Sequence, residues 1–418
     1  MKRSIWRSAA GAVITAALAT TAVPAAWATS LTAATPTAAT TARTPDLGTV
    51  ADFDRLAQTV LVQRTAALLD QPPAQRAIFQ TADTTAATNG RVAMASTAAH
   101  NEQAVDASLQ ARRVRLRAAG EAYQAGNTKA TVDHVQLSGD GKRADVLLTE
   151  TTTLTYEKLR GDEPPTTGFQ AQHEATFVKD AQGHWQLTGL TDLDTDGFPQ
   201  INEPTPSRLD SAVASTALAS AATRPPLVAV TATTDPPEAT PASTAWPAAP
   251  SPKPAKSGAV DYTAMAAYAE KYWHNYNPAY RQFNGAGGDC TNFISQSLRA
   301  GGWQFAGGWA SDYDHTWWYS ATNPATQSWS WNGVNEWSWY ALSSKRVTNL
   351  ADVYQLGVGD ILQMDFDRTG SKDHSMIVTY RSPAGMPYVT YHSTNTLNRS
   401  VASLVAIFPD SLYYAYRT

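Results

Sequence analysis

The residue that most strongly indicates chemistry is Cys290, the only cysteine of the 418-residue chain, in the stretch 287-GGDCTNFISQSL-298. The spacing of apolar residues predicts a short helix over 289–300, which Asp289 would cap and Gly301 would end. A helix N-terminus stabilises a thiolate through its unpaired N–H groups and its dipole. The position therefore favours a nucleophilic cysteine over a buried structural one.

A thiol nucleophile needs a base, and the base needs an orienting group. His374 opens a predicted strand over 374–380, and a second predicted strand over 388–394 contains His392 near its end, with Asn395 just beyond. If the two strands form a hairpin, these residues lie at the same end. The pattern predicts His374 as the base and either His392 or Asn395 as the group that orients it.

A family resemblance extends over residues 260–416. The positions that carry it are 268–272, 276–278, 280, 287–296, 298, 301–302, 359–360, 373–375 and 392–393. They resemble the putative amidase domain family of exported bacterial proteins, and the order of Cys helix, Gly-Asp strand and His strand is similar to NlpC/P60 and CHAP cell-wall hydrolases. The resemblance implies a papain-like α+β fold in which the Cys helix packs on an antiparallel sheet.

The same resemblance implies roles for individual residues. Cys290 would be the nucleophile, His374 the base and His392 the third catalytic residue, while Tyr280 would line the site. His374 would take the thiol proton, the thiolate would attack an amide carbonyl, and the Cys290 N–H would stabilise the oxyanion. No metal or other cofactor is expected, because the chain has no second cysteine and no HExxH motif.

Tryptophans crowd the segment that follows the predicted Cys helix, with eight between Trp303 and Trp339. Aromatic planes stack on sugar faces, so several of them, including Trp317 and Trp318, are predicted to line the cleft with Asp289, Tyr280 and Asn395 as substrate contacts. Packing within the core is the open alternative.

The first 28 residues predict a secretory signal peptide, with Lys2, Arg3 and Arg7 before an apolar run and cleavage after Ala28. Removing these three positive charges takes the net charge from −4 to −7, which disfavours nucleic acid as a partner. No later apolar run is long enough to span a bilayer. We therefore predict a secreted or cell-wall-associated monomer.

Composition divides the mature chain into four parts. Residues 29–45 are predicted to be disordered, and 46–204 to form a small α+β domain of helices followed by antiparallel hairpins. Residues 205–258 are rich in Ala, Thr and Pro and predict a linker, and 259–418 form the domain that carries Cys290.

Local patterns give some detail within the first of these domains. The spacing of Phe53, Leu56, Val60 and Leu61 predicts a first helix, and a second is predicted over about 102–119. Hairpin turns are predicted at 139–141 and 180–183. The acidic run 192–203 has the spacing of a calcium loop, although an acidic turn is the favoured interpretation. None of these features predicts a catalytic group.

Together these features predict a secreted, cysteine-dependent amide hydrolase that acts on peptidoglycan or a related cell-wall peptide. Two alternatives remain open from the sequence. One is a non-catalytic protein that binds glycans through its tryptophans, and the other is an acyltransferase in which an amine instead of water meets the acyl-enzyme.

Overall fold

The computed structural model describes residues 46–70, 92–159, 161–193, 199–204, 239–284, 288–307, 315–322 and 327–418. Its helices are α1 (Leu47–Ala67), α2 (Ser96–Ala118), α3 (Tyr262–Tyr272), α4 (Cys290–Ala300), α5 (Trp329–Asn332), α6 (Val334–Ser343) and α7 (Val401–Ile407). Its strands are β1 (Val92–Met94), β2 (Tyr123–Leu137), β3 (Arg143–Tyr156), β4 (Thr166–Lys179), β5 (Trp185–Asp192), β6 (Lys256–Ser257), β7 (Val260–Asp261), β8 (Thr348–Asn349), β9 (Ile361–Asp365), β10 (His374–Arg381), β11 (Pro387–Tyr391), β12 (Thr396–Ser400) and β13 (Leu412–Arg417). The predicted signal peptide and the predicted disordered segment 29–45 lie outside the described residues.

Residues 46–204, the N-terminal region, place two helices beside an antiparallel meander, β2-β3-β4-β5. Helix α1 buries Phe53 and Val60 against the sheet, as its apolar spacing predicts. The two predicted turns form where a carboxylate accepts backbone N–H bonds: Asp140 from Lys142 N (3.0 Å) and Asp180 from His184 N (2.9 Å). Helix α2 begins earlier than predicted, at Ser96.

Residues 259–418, the C-terminal region, are built on five neighbouring antiparallel strands in the order β12-β11-β10-β9-β13. On one face of this sheet Ile377 belongs to the same core cluster as Ile294 of α4, and on the other Met376 belongs to the same cluster as Leu404 of α7. The alternation of consecutive residues between the faces is the ordinary pleat of a strand. The expected mixed α+β architecture with a mainly antiparallel sheet is confirmed.

The two regions share one sheet. Strand β4 pairs with β12 through Phe169↔Thr396, and the Tyr156 hydroxyl donates to the Asn398 carbonyl (3.0 Å). Helix α2 adds a bond from Arg115 Nε to the Ala406 carbonyl (2.9 Å). The domain boundaries stay predictions, but the structure joins the N-terminal region to the edge of the sheet that carries His374.

Part of the predicted linker packs against the C-terminal region. Ala242 N donates to the Tyr413 carbonyl (2.7 Å), and Lys253 forms a buried ion pair with Asp360. The Lys253 ammonium also lies 3.5 Å from the centre of the Tyr262 ring. Backbone hydrogen bonds and the ion pair of Lys253 therefore attach residues 239–258 to the C-terminal region. The composition of the segment did not predict this packing, because it has few large apolar side chains.

None of the helices in the described ranges is long and apolar enough to cross a bilayer.

Candidate active site

The thiol lies where the sequence predicts it, on the first residue of α4. Cys290 is 3% exposed, and α4 packs on β10 with Ile294 and Leu298 buried. The helix runs to Ala300, so the predicted element is confirmed to within one residue. The first N–H groups of such a helix have no carbonyl partner within the helix, which makes this end favourable for negative charge.

One hydrogen bond joins the Cys helix to the His strand. The Thr291 and Ser375 hydroxyl oxygens are 3.0 Å apart, and Gln363 Nε2 donates to the same Ser375 oxygen (3.0 Å). Thr291 directly follows Cys290, and Ser375 directly follows His374. The bond therefore joins the start of α4 to the start of β10. Ser375 faces α4, whereas His374, its neighbour on the strand, pairs with Met364 and lies on the opposite face with Met376 and Tyr391.

His374 is held in an interior position at the start of β10. It is 1% exposed, and the centre of its ring lies 4.9 Å from the Tyr391 ring at an interplanar angle of 89°. Burial, and then the positive charge of Arg399, lower the pKa of His374 to about 3. The imidazole is therefore neutral at ordinary pH and able to accept a proton.

A pH effect on stability follows for His374. A histidine whose pKa in the folded state lies below its unfolded value opposes folding once the unfolded chain takes up the proton. The free energy of unfolding is therefore lost as the pH falls from about 6.5 towards 3. We expect wild type to lose about 1.4 kcal/mol more per pH unit than His374→Gln between about pH 5.5 and 4, measured by urea unfolding. Equal slopes would contradict a neutral, buried His374. The pKa of Asp373, raised to about 6 by burial, affects both proteins and cancels in the comparison.

His392 is engaged with a different partner from the one expected. Its Nδ1 lies 2.6 Å from Asp289 Oδ2, and its Nε2 lies 2.8 Å from the Tyr272 carbonyl oxygen. Because a carbonyl only accepts, Nε2 donates to it, and Nδ1 faces the Asp289 carboxyl group. Both ring nitrogens are occupied in this way, so the geometry does not support the expectation that His392 orients His374. Its catalytic role stays a prediction.

Asp289 occupies the N-cap position of α4, as the sequence predicts, but its side chain makes no capping bond to the helix. Its Oδ1 accepts from Phe283 N (2.8 Å) and from Asn292 Nδ2 (2.8 Å), while Oδ2 faces His392. The side chain is fully buried, which also speaks against the expected substrate contact. The carboxylate instead ties the loop before α4 to the turn after β11.

That turn has an unusual backbone. Ser393 and Thr394 have φ angles of 57° and 77°, in the left-handed region that a β-branched residue such as Thr rarely adopts. The conformation lets the Ser393 hydroxyl accept from Asp289 N (2.8 Å). Such strain persists only where its surroundings enforce it, and here it fixes the residue that precedes Cys290.

Asn395 and Tyr280 are two further residues that the sequence predicts to contact substrate. Tyr276 donates its hydroxyl to Asn395 Oδ1 (2.9 Å), and Gln170 N of the N-terminal region donates to the Asn395 carbonyl (2.9 Å). Tyr280 packs its ring 4.9 Å from that of Tyr319. The structure thus places Asn395 at the junction of the two regions and Tyr280 in an aromatic layer, and their substrate contacts stay predictions.

The tryptophans mainly form a packed layer behind α4. Of the seven that the described ranges include between 303 and 339, five are less than a tenth exposed: Trp303, Trp317, Trp318, Trp331 and Trp337. Trp317 is fully buried and donates Nε1–H to Ser295 Oγ (3.1 Å), and Trp331 donates to Asn292 Oδ1 (2.7 Å). The expectation that Trp317 lines the cleft is therefore wrong, because its ring fills the core. Trp318 is 8% exposed, so its predicted substrate contact has little surface to use.

The packing role can be measured at Trp317. Trp317→Phe removes ring volume and the bond to Ser295, and we expect it to lower the free energy of unfolding by about 1 to 3 kcal/mol. Trp329→Phe, at a half-buried position outside this bond, is the matched control. Equal unfolding midpoints for the two variants would show that Trp317 is not a core residue.

Two clusters of acidic residues could be considered as metal sites, and the first lies at the turn between β9 and β10. Among the described residues, Asp365, Asp367 and Asp373 bring one oxygen each within 4.8 Å of the others. The turn itself uses these oxygens, since Asp365 accepts from Thr369 N (3.1 Å) and Gly370 N (2.9 Å). These bonds account for the cluster as a turn structure.

The predicted calcium spacing over 192–203 is only partly visible, because 194–198 lie outside the described residues. Glu203, which would be its last ligand, is instead buried and pairs with Arg64 (3.1 Å). Arg64 also pairs with Glu102 (2.6 Å). The position of Glu203 within this buried cluster favours the acidic-turn interpretation.

Comparison with known proteins shows which family model matches the region that carries Cys290. The family described as "Putative amidase domain" matches residues 259–416, which indicates an amide hydrolase. Two proteins of Bacillus subtilis (strain 168) are similar to part of the chain. "Uncharacterized protein YhbB" is 34% identical over 143 residues, covering 32% of this chain and 43% of that protein. "Uncharacterized protein YjcM" is 32% identical over 149 residues, covering 34% and 32%. The chain thus spans less than half the length of these relatives.

A search of solved structures gave the intermembrane space region of chloroplast protein ARC6, with a TM-score of 0.21 and 17% identity over 34% of this chain and 95% of that one. At that score the likeness carries no argument.

Proposed function

We propose that the protein is an exported, cysteine-dependent amide hydrolase that cleaves an amide bond of peptidoglycan or a related cell-wall peptide. The observation that carries the proposal is the Thr291–Ser375 bond, which brings Cys290 at a helix N-terminus to the start of the His374 strand. A papain-like assignment rests on this pairing of a helix-borne cysteine with a strand-borne histidine on an antiparallel sheet. The amidase family match over residues 259–416 supports the reaction class.

In the proposed mechanism the neutral His374 acts as a general base, which requires the start of β10 to rearrange so that the ring, which lies beside Tyr391, reaches Cys290. It takes the proton of Cys290, and the sulfur attacks the amide carbonyl carbon to form a tetrahedral intermediate. The N–H of Cys290, at the start of α4, stabilises the oxyanion. His374 then gives its proton to the departing amine as the carbon–nitrogen bond breaks, and a thioester remains. Water, deprotonated by His374, releases the acyl group and restores the thiol.

The burial of the centre has a consequence for substrate entry. Cys290 and His374 are 3% and 1% exposed, so the side chains above the thiol must shift before a carbonyl carbon can reach the sulfur. Entry of substrate is therefore proposed to be coupled to a local opening, and such conformational steps limit the rate of many enzymes with covered sites.

Digestion of purified peptidoglycan tests the proposal. Wild type is expected to release new amine and carboxyl ends, and mass analysis of the fragments identifies the bond. Adding a primary amine distinguishes hydrolysis from transfer, because a transferase would give the substituted amide. Unchanged peptidoglycan and unchanged model peptide amides, under conditions where the protein is folded, would contradict the proposal.

A further inference from the structure

A row of polar side chains leads from the sheet to the thiol, on the face that α4 covers. Thr291 Oγ1 lies 3.8 Å from Cys290 Sγ, a distance at which the large sulfur atom can still form a hydrogen bond. The same oxygen lies 3.0 Å from Ser375 Oγ, which accepts from Gln363 Nε2 (3.0 Å). Thr291, Ser375 and Gln363 are fully buried, where polar groups are costly unless they are paired.

We propose that Gln363, Ser375 and Thr291, the donor row, pass hydrogen bonds in that order to the Cys290 sulfur and stabilise its thiolate. This role rests on the function proposed above, because it supports the nucleophile of the same site. Thr291 contacts the reacting sulfur atom itself. Ser375 and Gln363 are positioning residues, since they act on the sulfur only through the Thr291 hydroxyl.

Strand register places the donor row on the same side of the sheet as the thiol. Ser375 and Gln363 are directly opposite each other in the pairing of β10 with β9, so their side chains share one face. Ile377, two residues after Ser375, lies on that face and belongs to the core cluster that includes Ile294 of α4. The donor row therefore crosses from β9 to β10 to α4 without using the opposite face, where His374 lies.

The direction of the hydrogen bonds is set at Gln363. Its Nε2 also donates to the Val334 carbonyl oxygen (2.9 Å). A carbonyl only accepts, so the atom that faces it must be the amide nitrogen, and both N–H bonds of that nitrogen are then used. Ser375 Oγ accepts one of them, which makes its own hydrogen available to Thr291 Oγ1. The Thr291 hydrogen is in turn available to the sulfur.

Ionisation of the thiol selects this order of donors. A thiol can donate and accept, so the two hydroxyl groups can point either way while Cys290 is protonated. A thiolate only accepts, and rotation of the Ser375 and Thr291 hydroxyls then supplies a donor at every step. Hydrogen bonds to an ionised group are stronger than those between neutral groups, and successive bonds polarise one another. The donor row thus adds to the effect of the helix N-terminus.

Structural bonding between α4 and the sheet is the competing role for the same hydroxyls. That role would make Thr291 and Ser375 important for stability alone. Stabilisation of the thiolate instead changes the pH at which Cys290 becomes reactive, in protein that remains fully folded. The pH profile of the thiol therefore distinguishes the two roles.

The pH profile of iodoacetamide labelling in full-length variants tests the donor row. Thr291→Val replaces the hydroxyl by a methyl group, and we expect the midpoint of labelling to rise by about one pH unit. Ser375→Ala and Gln363→Met interrupt the donor row further from the sulfur, so rises of about half a unit are expected. Ultraviolet absorbance of the thiolate, with Cys290→Ala as the blank, measures the same midpoint without requiring access for a reagent.

Two control variants separate the donor row from general packing. Thr291→Ser keeps a hydroxyl and should have a midpoint close to that of wild type. Ser297→Ala removes another fully buried hydroxyl of α4, which donates to the Phe293 carbonyl (3.0 Å), and should leave the midpoint unchanged. Below the wild-type midpoint, kcat/KM of Thr291→Val should fall about tenfold, because its thiolate fraction is about tenfold smaller. The deficit should shrink as the pH rises.

The outcomes separate the two proposals. If Thr291→Val and Ser375→Ala are folded by thermal unfolding and keep the wild-type midpoint while Cys290→Ala is inactive, the donor row is wrong and the hydrolase stands. If the midpoints rise as expected but wild type hydrolyses no amide bond, the proposed function fails and the effect on the thiol stands. Should Thr291→Val not fold, whichever of Ser375→Ala and Gln363→Met is folded decides, and a wild-type midpoint there overturns the donor row.

Discussion

Replacing Cys290 by alanine is expected to lower kcat for amide hydrolysis by at least ~10⁴-fold, since removal of a covalent nucleophile leaves only binding and oxyanion stabilisation. The residue is 3% exposed and small, so alanine should leave the fold intact. Release of new amine ends from peptidoglycan is the direct measurement, with a thermal unfolding curve to show that the variant is folded.

Two controls sharpen the Cys290 experiment. Thr291→Ser keeps the hydroxyl that faces Ser375 and should retain most of the activity. Cys290→Ser keeps the size of the side chain but supplies a weaker nucleophile, so it should resemble alanine. Full activity in Cys290→Ala would remove the cysteine from the mechanism and leave the amidase family match without its proposed nucleophile.

The second large effect is expected at the buried pair of Asp289 and His392. Asp289→Asn keeps the shape of the side chain but removes the charge that faces His392 Nδ1 at 2.6 Å. Breaking one side of a buried, hydrogen-bonded pair costs about 3 to 5 kcal/mol, because the other side stays buried without its partner. We expect that loss in the free energy of unfolding, together with a fall in kcat, since Asp289 directly precedes the nucleophile.

A double-mutant cycle measures this coupling. His392→Gln removes the other member of the pair, and Gln retains a donor for the Tyr272 carbonyl. If the two side chains stabilise each other, the double variant loses less stability than the sum of the single variants, by about 1 to 3 kcal/mol. Additive losses would show that Asp289 and His392 do not act as a pair.

Local sequence signals predicted the elements that carry the site. The helix at Cys290 follows from its apolar spacing and from Gly301–Gly302 after it, and the start of β10 at His374 follows from the apolar run behind it. These features depend on neighbours within a few residues. The mixed α+β class was accessible for the same reason, because helix and strand periods are visible in short windows.

Pairings between distant segments were not accessible from the sequence. The bonds from Asp289 to His392, from Thr291 to Ser375 and from Arg399 to Tyr391 depend on which face each side chain occupies. A shift of one residue in strand register exchanges the faces, and this decides whether Tyr391 or His392 meets His374. A single polar residue such as Arg399 adds nothing to the periodic pattern of apolar residues in the sequence. Its burial and its contacts are visible only in the tertiary structure.

The sequence by itself thus determined that one thiol lies at a helix N-terminus and that histidines lie at one end of a hairpin. Tertiary structure decided which histidine has which partner, that Trp317 fills the core, and that β4 of the N-terminal region extends the sheet at β12. The physical reason is that periodicity and turn chemistry act over a few residues. Burial, register and charge pairing are instead set by segments far apart in the chain, such as Asp289 and His392, which are separated by 103 positions.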